Sequence, residues 1–170
     1  MTIDSLYAYK EMAMTRFIPI LTLAIFLSLG CSPLSLDELK QKAMQGDVEA
    51  QYTLGHFYNT GIGAPKDSLE AVKWFRIAAE LNYAEAQFSL GFMYDLGEGV
   101  PQDNIQAYKW SSLAAPKLKF RDREAAVAVR DGVESKMTVE QVNEAKRLAG
   151  EWRPKTWEVI RQELQISPPE

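Results

Sequence analysis

Ala50-Gln51-Tyr52-Thr53-Leu54-Gly55-His56-Phe57-Tyr58-Asn59-Thr60-Gly61-Ile62-Gly63 decides the fold, because Ala86-Gln87-Phe88-Ser89-Leu90-Gly91-Phe92-Met93-Tyr94-Asp95-Leu96-Gly97-Glu98-Gly99 repeats its frame thirty-six positions later. Ala50, Leu54, Gly55, Tyr58, Gly61 and Gly63 fall on Ala86, Leu90, Gly91, Tyr94, Gly97 and Gly99. The coincidence runs on: Pro65, Asp67, Ala71, Trp74, Ala78 and Ala79 fall on Pro101, Asp103, Ala107, Trp110, Ala114 and Ala115. So many matches at one offset exclude chance. A period of this length, with Leu-Gly-x-x-Tyr in its first half, predicts stacked helical hairpins.

Each residue type has a physical task in such a hairpin. Ala50, Leu54 and Tyr58 recur at intervals of four and give the first helix one apolar face. Gly55 lies on that face; a helical glycine costs about 1 kcal/mol relative to alanine, so its recurrence as Gly91 predicts close approach of a second helix, which Ala71, Ala78 and Ala79 would permit. Gly61-Ile62-Gly63 and Gly97-Glu98-Gly99 end the first helix. Asp67 with Glu70, and Asp103 with Gln106, have capping-box spacing for the second. Ala71, Trp74 and Ala78 place one large ring between small residues on its inner face, and Trp110 with Ala107 and Ala114 does the same in the next unit.

The pattern A-x-x-x-L-G-x-x-Y-x-x-G-x-G-x-x-x-D-x-x-x-A-x-x-W-x-x-x-A-A resembles the Sel1-like repeat, a relative of the tetratricopeptide repeat. The resemblance implies an all-α chain, a short right-handed α/α solenoid of helical hairpins with helical caps. It covers full units at 50–85 and 86–115 and a partial unit at 36–49, so that 36–116 form the repeats. Ala64 stands where the second unit has Val100, a minor departure. Most Sel1-like proteins hold a protein or peptide, which makes a binding scaffold the expected function. Some cysteine-rich relatives are associated with binding or hydrolysing β-lactams, and an envelope enzyme acting on cell-wall or β-lactam-like substrates is the alternative. Those relatives carry a cysteine pair in every repeat, whereas this chain has a single cysteine.

Composition is that of a globular protein, 46% hydrophobic with a net charge of −4. The repeat region from Cys31 to Pro116 has six basic and eleven acidic residues, so no nucleic-acid partner is expected. Arg16 followed by the uncharged run Phe17 to Gly30 has the layout of a secretory leader and is short for a membrane span, which needs about 20 apolar residues. Asp4 and Glu11 are unusual in a leader, so translation from Met12 or Met14 is an alternative to Met1. Leu27-Ser28-Leu29-Gly30-Cys31 resembles a bacterial lipobox, with Ser28 and Leu29 departing from the pattern. That resemblance implies a leader at 1–30, a lipid on Cys31 and a chain facing the periplasm, with Ser32 favouring the outer membrane. A secreted periplasmic form or a retained N-terminal anchor are the alternatives. A sole cysteine permits no intrachain disulfide.

Residues 31–35 read as a linker. Ser35 with Glu38 can cap a helix carrying Leu36, Leu39 and Ala43, ending at Gly46, and Asp47 caps the next. Beyond Pro116 the repeat stops but helix continues. Arg123 to Lys136 presents Ala126, Val127, Val129 and Val133; Thr138 to Gln141 is a capping box for a helix with Val142, Ala145, Leu148 and Trp152. Met137, Thr138, Gln141, Glu144, Ala145, Leu148, Ala149 and Trp152 resemble the closing segment often found after bacterial Sel1-like arrays. Residues 117–153 are therefore expected to form a hairpin cap. In 154–170, a short helix at Thr156 to Leu164 and a loose tail are expected.

Catalytic signals are absent from the sequence. His56 is the sole histidine, no nucleophile motif accompanies it, and the paired glycines follow helices rather than strands. No cofactor, no metal and no small-molecule substrate are expected. Relatives of this repeat line their concave side with the first helix of each unit, so the resemblance implies a groove there. With Leu54, Gly55 and Tyr58 committed to packing, phasing turns Tyr52, His56 and Asn59 toward it, with Phe88, Phe92 and Asp95 as their equivalents, the alternative being that Phe88 and Phe92 pack on the closing hairpin. Two phenylalanines beside a tyrosine, near Glu49, Glu85 and Asp95, would suit a peptide with apolar anchors and a basic residue.

Overall fold

Capping residues set the punctuation of the chain. In the computed structural model, which describes residues 35–166, they delimit eight helices, and no strand occurs among the described residues. These are α1 Leu36–Met44, α2 Val48–Thr60, α3 Ser68–Glu80, α4 Ala84–Leu96, α5 Asn104–Ala114, α6 Phe120–Glu134, α7 Val139–Glu151 and α8 Trp157–Glu163. The leader expected at 1–30, Cys31 and the tail from Ser167 lie outside the described residues.

Asp47 starts α2 by accepting from the Ala50 amide at 3.0 Å. Gly61 and Gly97 end α2 and α4 with φ of 78° and 72°, and their N–H groups donate to the carbonyls of Phe57 and Met93. Asp67 and Asp103 cap α3 and α5 through their carboxylates. Their own N–H groups donate to the carbonyls of Tyr58 (2.8 Å) and Tyr94 (3.0 Å). The donor that a capping box would offer to Glu70 or Gln106 is thus used to tie each second helix back to the first. At Thr138 the box closes fully: its N–H donates to Gln141 Oε1 and its Oγ1 accepts from the Gln141 amide.

Sequential stacking follows, α1 on α2, α2 on α3, α3 on α4 and α4 on α5. Leu39 and Ala43 of α1 bury themselves with Ala50 and Leu54. The next layer holds Ala71, Phe75, Ala78, Ala86, Leu90 and Trp110. Trp74, expected as the inner ring of α3, is only half-buried against the first layer; its neighbour Phe75, 1% exposed, fills the interior. Gly55 explains the exchange. A Cβ there would lie 2.7 Å from the Phe75 ring, so the glycine makes room for a ring rather than for alanine. At the equivalent place Ser111 replaces the ring, and a Cβ on Gly91 would meet Ser111 Oγ at 2.7 Å and the Ala107 carbonyl at 3.2 Å.

Buried glutamines tie unit to unit. Gln51 Nε2 donates to the Ala43 carbonyl at 2.9 Å, and Gln87 Nε2 to the Ala79 carbonyl at 3.1 Å, each satisfying the frayed end of the preceding unit's second helix. Lys117 Nζ completes the second glutamine by donating to its Oε1 (2.9 Å) and to Asn82 Oδ1 (2.6 Å). Gln51 Oε1 finds no partner among the described residues.

The C-terminal part departs from the expected hairpin. Helix α6 begins at Phe120, earlier than Arg123, and ends at Glu134. It packs on α5, as does α7, while α6 and α7 make few contacts with each other. The reason lies in α5, which offers two apolar sides. Ala114 and Ala115, with Leu118, take Ala126 of α6; Ala107 and Tyr108 take Val133 of α6 and Ala145 of α7. The chain then turns back as a strap. The rings of Trp152 and Trp110 meet edge to face at 6.1 Å, Trp152 Nε1 donates to Glu80 Oε2 at 3.3 Å and the Lys155 N–H to the Glu80 carbonyl at 2.9 Å. At the far end the Trp157 ring occupies the space a Cβ on Gly46 would need, 2.6 Å away.

Candidate functional site

The exposed side of the stack between α2 and α4 carries an open depression of about 240 Å³, lined by Asn59, Phe75, Phe88, Ser89, Phe92, Met93 and Glu98. Local sequence explains its shape. Leu54 and Leu90 turn into the core, so the residues one helical face away are left to meet solvent. Phe75 and Met93 reach it from beneath and form an apolar floor. Asn59, Ser89 and Glu98 supply amide, hydroxyl and carboxylate groups around it. Phe92 is 43% exposed and is the large apolar side chain that the depression leaves most open to solvent.

The six groove residues expected from phasing take different places. Asn59, Phe88 and Phe92 line the depression together. Phe88 also packs on the cluster of Ala114, Ala115, Leu118 and Ala126, so one face of its ring belongs to the contact with α6. His56 is exposed, 6.4 Å from the Tyr52 ring. Tyr52 is instead a wall of the interior, with ring centroids 5.7 Å from Phe75 and 5.2 Å from Tyr83. Asp95 is engaged by Lys136 of the α6–α7 connection, Oδ1 to Nζ 3.1 Å, and so stands apart as a neutralised charge. Phe75 and Glu98 line the depression from outside the first helices, where phasing of those helices does not reach, and Ser89 and Met93 line it one position beyond Phe88 and Phe92 on α4. Glu98 sits between the turn glycines, and Phase-linked neighbours of Gly55 point to Phe75 only once the close approach is read as room for a ring.

Burial pushes the hydroxyls of Tyr52 and Tyr83 above their ordinary range. At Tyr52 a hydrogen bond with Ser89 works the other way, and the charges of Glu85 and Asp122 add to the rise. At Tyr83 Glu85 and Glu49 add to it. Glu49 and Glu85 at the N-terminal ends of α2 and α4 therefore present a negative border beside this aromatic row, and Asp122 of α6 acts on Tyr52 in the same sense. Glu140 and Glu158, near the starts of α7 and α8, are lowered chiefly by backbone hydrogen bonds, and Glu144 by Arg147; all three are in water and outside the depression. A second depression, about 270 Å³, is lined by Gln102, Asp103, Asn104, Ile105 and Gln141 and is polar. No group of acidic, histidine or cysteine side chains able to hold a metal ion occurs among the described residues. None of the described helices is long and apolar enough to cross a membrane.

An all-helical solenoid with an aromatic depression beside its first helices defines a class of repeat scaffold. Comparison with known proteins makes this specific: the family model of the Sel1 repeat matches residues 48–83 and 84–115. The Sel1-repeat-containing protein YbeQ of Escherichia coli (strain K12) is 44% identical over 57 residues, 32% of this chain and 17% of that protein. The crystal structure of a protective antigen present in uropathogenic Escherichia coli strains, displaying an SLR fold, superposes with a TM-score of 0.65 at 28% identity. That match covers 86% of this chain and 32% of that one. A Sel1 repeat protein from Oxalobacter formigenes matches with a TM-score of 0.48 at 28% identity, over 66% of this chain and 52% of that one. The chain thus spans about a sixth of the curated relative and a third of the antigen. The fold is a Sel1-like α/α solenoid, and such repeats generally serve as protein-interaction scaffolds without catalysis.

Proposed function

We propose that this chain is a non-catalytic scaffold of a bacterial cell envelope that holds a peptide or protein segment in the depression between α2 and α4. The observation that carries the reading is Phe92, an exposed ring on an apolar floor of Phe75, Phe88 and Met93 with Asn59, Ser89 and Glu98 around it. Apolar surface of this kind rimmed by polar groups suits an inserted side chain, while the amide and hydroxyl suit a peptide backbone. Glu98 in the lining, and Glu49 and Glu85 at the helix starts, favour a segment with a basic residue beside its anchor. An envelope enzyme would call for a carboxylate or nucleophile held in an abnormal state within a closed pocket; the shifted carboxylates are instead fully solvated.

The envelope part of the proposal rests on the sequence, Arg16, the apolar run to Gly30 and then Cys31. A lipid on Cys31 would hold the repeats at a membrane surface facing the periplasm.

Tyr52 packs on Phe75 and Tyr83, so a test through Tyr52 would disturb the fold. Phe92→Ser combined with Asn59→Ala alters only the depression. Affinity capture from the native envelope should recover a partner with the wild type and lose it with this variant, at an unchanged melting temperature. Capture that survives the double change refutes the groove. Cys31→Ala should release the protein from membranes or block its processing; normal cleavage with an unchanged membrane fraction refutes the lipid anchor.

A further inference from the structure

Helix α6 opens on a residue that packing does not explain. Phe120 is 86% exposed, with φ of 46°, in the left-handed region that a bulky side chain rarely occupies and that Gly or Asn would adopt more readily. An aromatic ring on such backbone and turned to water does nothing for the chain's own core. Its neighbours Lys119, Arg121 and Arg123 are exposed as well. Two residues earlier, Leu118 is buried with Ala114, Ala115 and Ala126 in the cluster that Phe88 packs against. The segment is therefore pinned beside the depression while its ring stays free of it.

Ring and depression are complementary. An exposed phenylalanine flanked by Lys119 and Arg121 matches an apolar lining of Phe75, Phe88, Phe92 and Met93 that also holds Glu98. We propose that Phe120 of one copy enters the depression beside Phe92 of a second copy, and reciprocally, in a two-fold dimer. Phe88, which lines the depression, packs against the cluster that buries Leu118, so receptor and anchor segment are tied to the same residues, and a two-fold axis that seats one ring seats its counterpart as well. Asp122 and Glu124 interrupt the basic run, which argues for a protein groove over an anionic lipid surface. This dimer rests on the depression being a binding surface; any other occupant would then compete with self-association.

Photo-crosslinking of the full chain, purified in detergent with Phe120→p-benzoylphenylalanine, tests the proposal. Irradiation should give a covalent two-copy product whose linkage maps to residues 84–98 of the other copy. In sedimentation equilibrium Phe120→Ser should weaken the dimer by about a thousandfold, about thirtyfold for each of the two aromatic anchors that it removes. Mixing Phe120→Ser with Phe92→Ser should restore part of the association, because that pair keeps one anchor and one intact receptor. A linkage to lipid or detergent alone, a linkage outside 84–98, or a dimer unaffected by Phe120→Ser overturns the proposal. If Phe120→Ser is monomeric or unchanged while partner capture still depends on Phe92, the scaffold reading stands whatever becomes of the dimer.

Discussion

Gly55→Ala is the sharpest test of how the repeats pack. The new Cβ would lie 2.7 and 2.8 Å from two carbons of the Phe75 ring, which is 1% exposed and bounded by Tyr52. Carbon atoms prefer about 3.5–4.0 Å, so the ring must retreat by roughly 1 Å into a filled interior. Overpacking of this kind costs about 1–3 kcal/mol. Better helix propensity returns about 1 kcal/mol. The expected net loss is about 0–2 kcal/mol, a fall in melting temperature of up to roughly 8 °C. Gly132→Ala in α6 is the control, since its Cβ would meet nothing within 4 Å. There the propensity gain stands alone, and stability should rise by about 0.5–1 kcal/mol. Urea unfolding followed by circular dichroism reads both. Phe75→Leu removes ring atoms that the new methyl strikes, so its cost should be smaller in the Gly55→Ala background than in the wild type. If Gly55→Ala is as stabilising as Gly132→Ala, the glycine is not making room for Phe75 and the packing argument fails.

Three further outcomes are expected. Gln87→Leu should cost about 1–3 kcal/mol, because it strips the Ala79 carbonyl and Lys117 of a buried partner; Gln51→Leu should cost about 1 kcal/mol less, since it also removes the unpaired Oε1, and equal losses in urea titrations would contradict the assignment. Trp157→Ala should speed hydrogen exchange of the amides at Gln45, Gly46 and Asp47, where the ring now lies; unchanged exchange by mass spectrometry would show that the strap does not secure the end of α1. Burial raises the folded-state pKa values of Tyr52 and Tyr83 above 10.0, so the unfolded chain loses those protons first and stability should fall as pH rises through 10. Absorbance at 295 nm should show that Tyr52→Phe and Tyr83→Phe each remove a late-ionising tyrosine; early ionisation of both would refute their burial.

The period, the turn glycines and the aspartate caps were legible because each is set by local backbone chemistry that one unit displays and the next repeats. Depth was less so. Trp74 and Phe75 are adjacent, and a helical face about 100° wide cannot say which of two neighbouring rings points inward; the answer came from Gly55, across the helix crossing. Asn59, Phe88 and Phe92 were assigned to the open side by phase and do line one depression. Tyr52 shares their phase but is drawn inward by Phase partners outside its own helix, Phe75 and Tyr83, and Asp95 meets Lys136, a residue forty-one positions away. The separation of α6 from α7 was hidden for a similar reason: periodicity shows that a helix has an apolar side but not which helix will cover it. Nothing local marks Trp157 as the partner of Gly46.

That partnership makes the C-terminal segment a ruler. From Trp152 to Trp157 it touches Trp110 in α5, then Glu80 at the end of α3, then Gly46 just past α1, visiting the second helix of each successive unit in reverse order. Most solenoids can gain or lose a unit with little consequence, since each unit meets only its neighbours. Here a segment of fixed reach spans the stack, and a third full unit inserted between Leu81 and Ala84 would carry Gly46 beyond Trp157. Copy number in this chain is thereby measured by its own tail, and a change in the number of repeats would have to be matched by a change in the strap.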